Sequence, residues 1–334
     1  MFRCFLCFGD LARKAEYNID DLGTSTSNET SPAAPGRAGW LKLLGVAVVW
    51  IAVGRYLPIV LWHALPRVLL DSLTLPIYNM LCQVITTGFG FGLAWILFRQ
   101  PRALLGLNKP SGWHLLVTAL LAPAIFVLAS SVALKIAEPY LLEELATQGA
   151  GASRRNAGAF GKAITQAPVV VTMLWGAVLA AIAEEMMFRG PLFSLLQDGT
   201  SALLARRRDP ASEPRESKQD RWIAGSVAIV VAAAAFGTMH ADMKGSVGIV
   251  RVVSATCLGV ACGTARFLSG TVLLSMLLHF VYNTISLGVG RGWFNGLSEP
   301  ILLVVPNPLL VAAIAGVMLA VGIRVARYAS SGKA

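Results

Sequence analysis

Apolar runs of about 20 residues recur along this chain, and no other feature restricts its fold so sharply. A helix needs about 20 residues to cross the roughly 30 Å of hydrocarbon in a bilayer, where every backbone N–H and C=O must be paired within the protein. The runs lie near residues 40–61, 75–98, 114–136, 168–189, 222–240, 246–266, 270–288 and 301–323. They predict an all-α fold, a polytopic transmembrane helical bundle of about eight spans with both termini on one side. Composition agrees, since only 14% of the residues are charged against about 25% in soluble domains.

The net charge of +10 does not point to nucleic acid, because the basic residues sit between the apolar runs and form no single dense patch. With the amino terminus inside, most lysines and arginines fall in inside segments, so the positive-inside rule places both termini in the cytoplasm. The expected partner is the lipid bilayer, and the expected location is a plasma membrane of the bacterial inner-membrane kind. Residues 1–38 read as a polar, disordered tail rich in Ser, Thr, Asn, Asp and Pro, residues 39–325 as the membrane domain, and 326–334 as a short cytoplasmic tail. Residues 137–167 read as a long outer connector and 205–221 as a charged cytoplasmic loop. Five cysteines, three of them in apolar runs, give no disulfide framework, and Cys4 with Cys7 form a lone pair without a zinc-site counterpart. Gly88, Gly90 and Gly92, and Gly259 with Gly263, would let helices approach closely. No internal repeat is present, which argues against a transporter built from inverted halves.

Charge inside an apolar run demands a reason, because an ionised side chain at bilayer depth costs about 2.5–3.5 kcal/mol on insertion scales. The segment AEEMMFRG (183–190) holds three such groups. Glu185 and Arg189 are four residues apart and can neutralise each other on one helix face, whereas Glu184 lies about 100° away and is left over for chemistry. Two further runs carry polar residues at helical spacing: Phe236 and His240 in FGTMH, and His279 and Asn283 in HFVYN. His63 and His114 read instead as interfacial residues near span ends. A carboxylate, two histidines and an amide make up a water-activating base, its partner and an oxyanion-stabilising pair, the set that amide hydrolysis requires.

Other intramembrane hydrolases fail by absence. The sequence has no H-E-x-x-H, no G-x-S-G, and no paired aspartates of the Y-D and G-x-G-D kind. The three segments EEMMFR, FGTMH and HFVYN resemble, in order, the E-E-x-x-x-R, F-x-x-x-H and H-x-x-x-N motifs of the CPBP intramembrane proteases, the group of type II CAAX prenyl endopeptidases and bacteriocin-processing enzymes. FRGPL continues the first motif in the usual way, and the resemblance covers about residues 168–288. It implies a helical fold with a catalytic cavity within the membrane. It implies that Glu184 is the general base with His240 as its partner, and that His279 and Asn283 stabilise the oxyanion. Glu185 and Arg189 would hold the site in shape, with Phe236 packed beside it.

Glu184, His240 and His279 could also supply the three ligands of a catalytic zinc with one position open for water. The same residues serve a metal-free hydrolase, so spacing assigns no metal ligand and the cofactor stays open. The resulting expectation is a multi-pass intramembrane endopeptidase, named a metalloendopeptidase in its family, that cuts a peptide bond in a membrane-associated, CAAX-like or prenylated-protein substrate. The alternatives are an inactive scaffold or peptide-binding protein of the same fold and, further off, a transporter.

Overall fold

The computed structural model describes residues 37–64, 75–98, 101–148, 164–208 and 217–293. Seven long helices run through them, and no β-strand occurs among the described residues. They are α1 (Arg37–Ala64), α2 (Leu75–Leu97), α3 (Gly112–Gln148), α4 (Val169–Arg208), α5 (Lys218–Met239), α6 (Gly245–Ser269) and α7 (Val272–Gly290). Six of them, α2 to α7, are long and apolar enough to cross a membrane; the apolar stretch within α1 is the shorter Leu44–Gly54. The expected eighth span at 301–323, both tails and the Cys4–Cys7 pair lie outside the described residues.

Two helices run further than their apolar runs suggest. The third continues past 136 to Gln148, through Pro139, because the Leu, Glu and Ala residues that follow are strong helix formers. Its extension has a structural use: Glu144 accepts from the backbone N–H and the hydroxyl of Ser246, both at 2.8 Å, at the amino-terminal end of α6. Two donors that α6 cannot pair internally and its positive dipole end are thereby met. The fourth helix does not stop at Arg189. It kinks at Gly190, whose ψ of −110° is not helical, and resumes to Arg208. The stretch 137–148 is therefore helix and not connector, and the charged segment after α4 begins beyond Arg208.

Helix α6 packs between α3 and α5, while α7 packs against α3, α6 and the centre of α4. Small residues permit these approaches. A Cβ on Gly259 would stand 2.9 Å from the Ala233 Cα, and one on Gly263 would stand 3.3 Å from the Ile229 side chain. On the other side of α4, Gly90 of α2 lies flat against Trp50 of α1, where a Cβ would fall 1.9 Å from the indole. Its neighbours Gly88 and Gly92 face open space. Trp50, Met186, Phe188, Phe236, Leu258 and Tyr282 belong to one buried cluster that encloses the polar residues at the centre of α4.

The link between α2 and α3 folds back under this cluster. Leu105 is fully buried, the Gly106 carbonyl accepts from Val272 N–H at 2.8 Å, and Thr271 donates to the Asn108 carbonyl at 2.7 Å. Gly106 needs its positive φ of 66°, and a side chain there would strike the Arg266 guanidinium at 2.5 Å. The turn between α6 and α7 is thus pinned to the link, which fixes where α7 begins.

Candidate active site

Helix α4 is not uniform. Two π-helical turns, Leu174–Leu179 and Phe188–Leu192, bracket the α-helical segment Ala180–Met187 that carries both glutamates. Wider π turns leave carbonyls without their usual partner four residues on, and two of these are used. Gly176 O accepts from the Asn283 amide at 2.9 Å. At the Gly190 kink the Arg189 carbonyl accepts from Arg266 Nε at 3.1 Å.

Glu185 and Arg189 are both 0% exposed. Arg189 Nη1 donates to Glu185 Oε1 at 3.1 Å, and Nη2 donates to the Gly259 carbonyl at 2.9 Å. The guanidinium also lies 4.8 Å from the centre of the Phe236 ring, a cation–π distance. The predicted neutralising pair is present, and α6 completes it by supplying a backbone oxygen where Gly259 has no side chain to block the approach.

Phe236 stands at the centre of the polar cluster. Its ring meets Phe188 edge to face at 5.2 Å, His240 at 4.7 Å and His279 edge to face at 5.6 Å. Its carbonyl lies 2.8 Å from His240 Nδ1. A carbonyl only accepts, so Nδ1 of His240 carries the proton, and in the neutral ring Nε2 is a bare acceptor. His279 is arranged alike: Nδ1 donates to Glu185 Oε1 at 2.8 Å in full burial. Both Nε2 atoms therefore turn to the remaining glutamate.

Glu184 Oε2 stands 3.8 Å from His240 Nε2 and 3.8 Å from His279 Nε2. These distances are too long for direct hydrogen bonds and suit a bridging group of the size of a water oxygen. Oε2 is buried without a hydrogen-bond partner, although the side chain as a whole is 25% exposed. The structure brings Glu184, His240 and His279 together from α4, the end of α5 and α7. Asn283 sits one turn beyond His279 on the same face of α7, with one amide hydrogen given to Gly176 and a second left to donate. His63 and His114 are exposed near the ends of α1 and α3.

Two histidines with Nδ1–H tied to an oxygen and Nε2 turned inward have the donor chemistry of metal ligands. Among the described residues, however, no group of three or more His, Cys, Asp or Glu is placed to hold a metal ion.

Beside His240 a cavity of about 420 Å³ opens, lined by Ala241, Met243, Gly245, Ile249, Val252 and Val253 among others. Its walls are apolar. Cys82, Cys257 and Cys262 are free thiols, and Cys262 is tied to α7 by the hydrogen bond its carbonyl accepts from Ser275 Oγ at 2.8 Å. Sequence reasoning missed the carbonyls of Gly176, Gly259 and Phe236. Helical spacing could have found the last of these, because a histidine four residues after a helical position can bond back to it, but the first two depend on tertiary packing.

Comparison with known proteins places this geometry in context. Residues 166–285 match a family model described as type II CAAX prenyl endopeptidase Rce1-like. No curated protein and no solved structure matches the chain.

Proposed function

We propose that this chain hydrolyses a peptide bond with a water activated by Glu184 and His240, a reading supported by the match of residues 166–285 to the Rce1-like type II CAAX prenyl endopeptidase family model. The substrate in this reading is a membrane-associated peptide or a CAAX-like carboxy-terminal tail. The observation that carries it is the position of Glu184 Oε2, 3.8 Å from two imidazole Nε2 atoms. Glu184 Oε2 and His240 Nε2 are two acceptors facing one gap, and the two O–H groups of a water molecule match them.

Glu184 takes a proton from that water as its oxygen attacks the carbonyl carbon, while His240 Nε2 accepts from the second O–H and orients the lone pair. The free amide hydrogen of Asn283 stabilises the tetrahedral oxyanion, joined by His279 when its Nε2 carries a proton. Collapse breaks the C–N bond, and the proton held by Glu184 passes to the leaving amine. Atoms and charge balance with one water consumed, and no step passes through a metal. Glu185 and Arg189 hold His279 in place. The apolar cavity beside His240 supports a substrate whose cut bond is flanked by aliphatic or lipid-like groups. The reaction in this reading takes place near the cytoplasmic face, with both termini on that side.

Purified wild-type protein in proteoliposomes is expected to cleave a quenched fluorescent prenylated peptide. Glu184→Ala and His240→Ala should abolish cleavage while eluting as folded monodisperse protein. Wild-type protein that binds the peptide without cutting it would make the chain a scaffold, and cleavage unaltered in Glu184→Ala would overturn the mechanism.

A further inference from the structure

Arg251 lies within α6, a membrane-length helix, and takes no part in the chemistry above. An arginine in such a helix is costly unless it is paired or functional. Its Nε stands 3.1 Å from Asp242 Oδ1, and its Nη1 reaches the Met243 sulfur at 4.0 Å. Both contacts fall on the short loop between α5 and α6, within three residues of His240.

His240 needs such support. It is the residue at which α5 ends, with φ −93° and ψ 7°. Its N–H pairs with Gly237 O, three residues back, as does that of Ala241 with Thr238 O, so the last turn is tightened before the chain leaves the helix. Helix ends fray, and a frayed end would carry the His240 imidazole away from Glu184. The loop has its own seat against α6: a Cβ on Gly248 would lie 2.3 Å from the Met243 carbonyl, so only glycine lets that carbonyl rest there. Glu144 from α3 caps the first turn of α6 beside it.

We infer that the Arg251–Asp242 pair is a positioning latch for His240, which holds the α5–α6 loop against α6 and thereby fixes the 3.8 Å approach of His240 Nε2 to Glu184. Arg251 is a positioning residue in this reading and acts through Asp242 and the loop backbone. The consequence for catalysis rests on the function proposed above. The consequence for His240 does not.

The test uses full-length protein in detergent micelles with all four histidines labelled with nitrogen-15 and assigned by single His→Gln variants. In Arg251→Ala the His240 ring resonances should shift or broaden as the hydrogen bond to the Phe236 carbonyl loosens, while those of His279 stay in place. In the cleavage assay kcat should fall about 10- to 100-fold, the scale expected for a misplaced catalytic group. The KM should change less than about threefold, because transition-state geometry and not substrate affinity is lost. Arg251→Lys should recover part of kcat by keeping a charge opposite Asp242. Asp242→Asn, at a half-exposed loop position, should repeat the His240 shift and covers the case in which Arg251→Ala does not fold. Unmoved His240 resonances with wild-type kcat in both variants would overturn the latch, as would a shift in Arg251→Ala that Asp242→Asn lacks. A wild-type chain that cleaves nothing would sink the proposed function and leave the resonances to decide the latch.

Discussion

His279 and Glu185 meet through Nδ1 and Oε1 at 2.8 Å, and that same oxygen receives Arg189 at 3.1 Å. One carboxylate oxygen thus gathers a donor from its own helix and a donor from α7, in a place closed to solvent. Removal of the carboxylate strands both. Glu185→Ala should destabilise the protein by about 3–5 kcal/mol, the usual cost of breaking a buried pair. Arg189→Ala should do the same, and the double variant should lose less than the sum of the two. The measurement is the folded fraction by size-exclusion fluorescence after a thermal ramp; additive losses would show that the pair does not act as a unit.

Glu184 behaves oppositely, because its side chain reaches solvent and Oε2 has no hydrogen-bond partner to strand. Glu184→Gln should keep the thermal stability of the wild type within about 0.5 kcal/mol while cleavage falls by at least about 100-fold, the lower range for loss of a general base. Parallel melting curves and single-turnover cleavage check both halves.

Asn283 links the oxyanion role to the π turn of α4. Asn283→Ala removes the donor and leaves the Gly176 carbonyl without its side-chain partner. The turnover rate should drop about 100- to 1000-fold, as for loss of an oxyanion donor elsewhere, with a stability loss of about 1 kcal/mol from the broken hydrogen bond. A KM increase at unchanged kcat would assign Asn283 to substrate binding instead.

The glycines of α2 provide an internal control. Gly90→Ala drives a methyl into the Trp50 indole at 1.9 Å, whereas the Gly88 and Gly92 positions meet nothing. Overpacking of this kind costs about 1–3 kcal/mol, and alanine at an open helical site favours the helix over glycine by about 1 kcal/mol. Gly90→Ala should therefore melt lower, and Gly88→Ala and Gly92→Ala at or above the wild type.

The route proposed above uses no metal. Prolonged dialysis against a chelator should leave peptide cleavage within about twofold of the untreated enzyme. Activity lost to the chelator and restored by one equivalent of zinc would overturn the metal-free route.

Much of this site was legible in the sequence, for reasons that differ by residue. The Glu185–Arg189 pair follows from a spacing of four on a helix. The approach of α5 to α6 follows from Gly259 and Gly263, whose missing side chains meet Ala233 and Ile229. The sharing of Glu185 between Arg189 and His279 was not legible, since nothing local says which of two adjacent carboxylates turns to which histidine. Asn283 gave no hint of Gly176, because a backbone carbonyl freed by a π turn has no signature in residue type. The apolar run that predicts α4 ends at Arg189, just before Gly190 and Pro191. The kink is there, but Leu105 packs against Gly190 and the chain resumes its helix.

The π turn at Leu174–Leu179 has a consequence for how this sequence tolerates change. Each such turn holds one residue more than an α-helix would. Deleting a single residue there would relax α4 into a more regular helix, in which each carbonyl pairs with the N–H four residues on. The Gly176 carbonyl would then be taken up along the helix, and the Asn283 amide that donates to it would lose its acceptor. The deletion would improve the helix and dismantle the site, so an irregularity that local energetics disfavours has to be inherited intact.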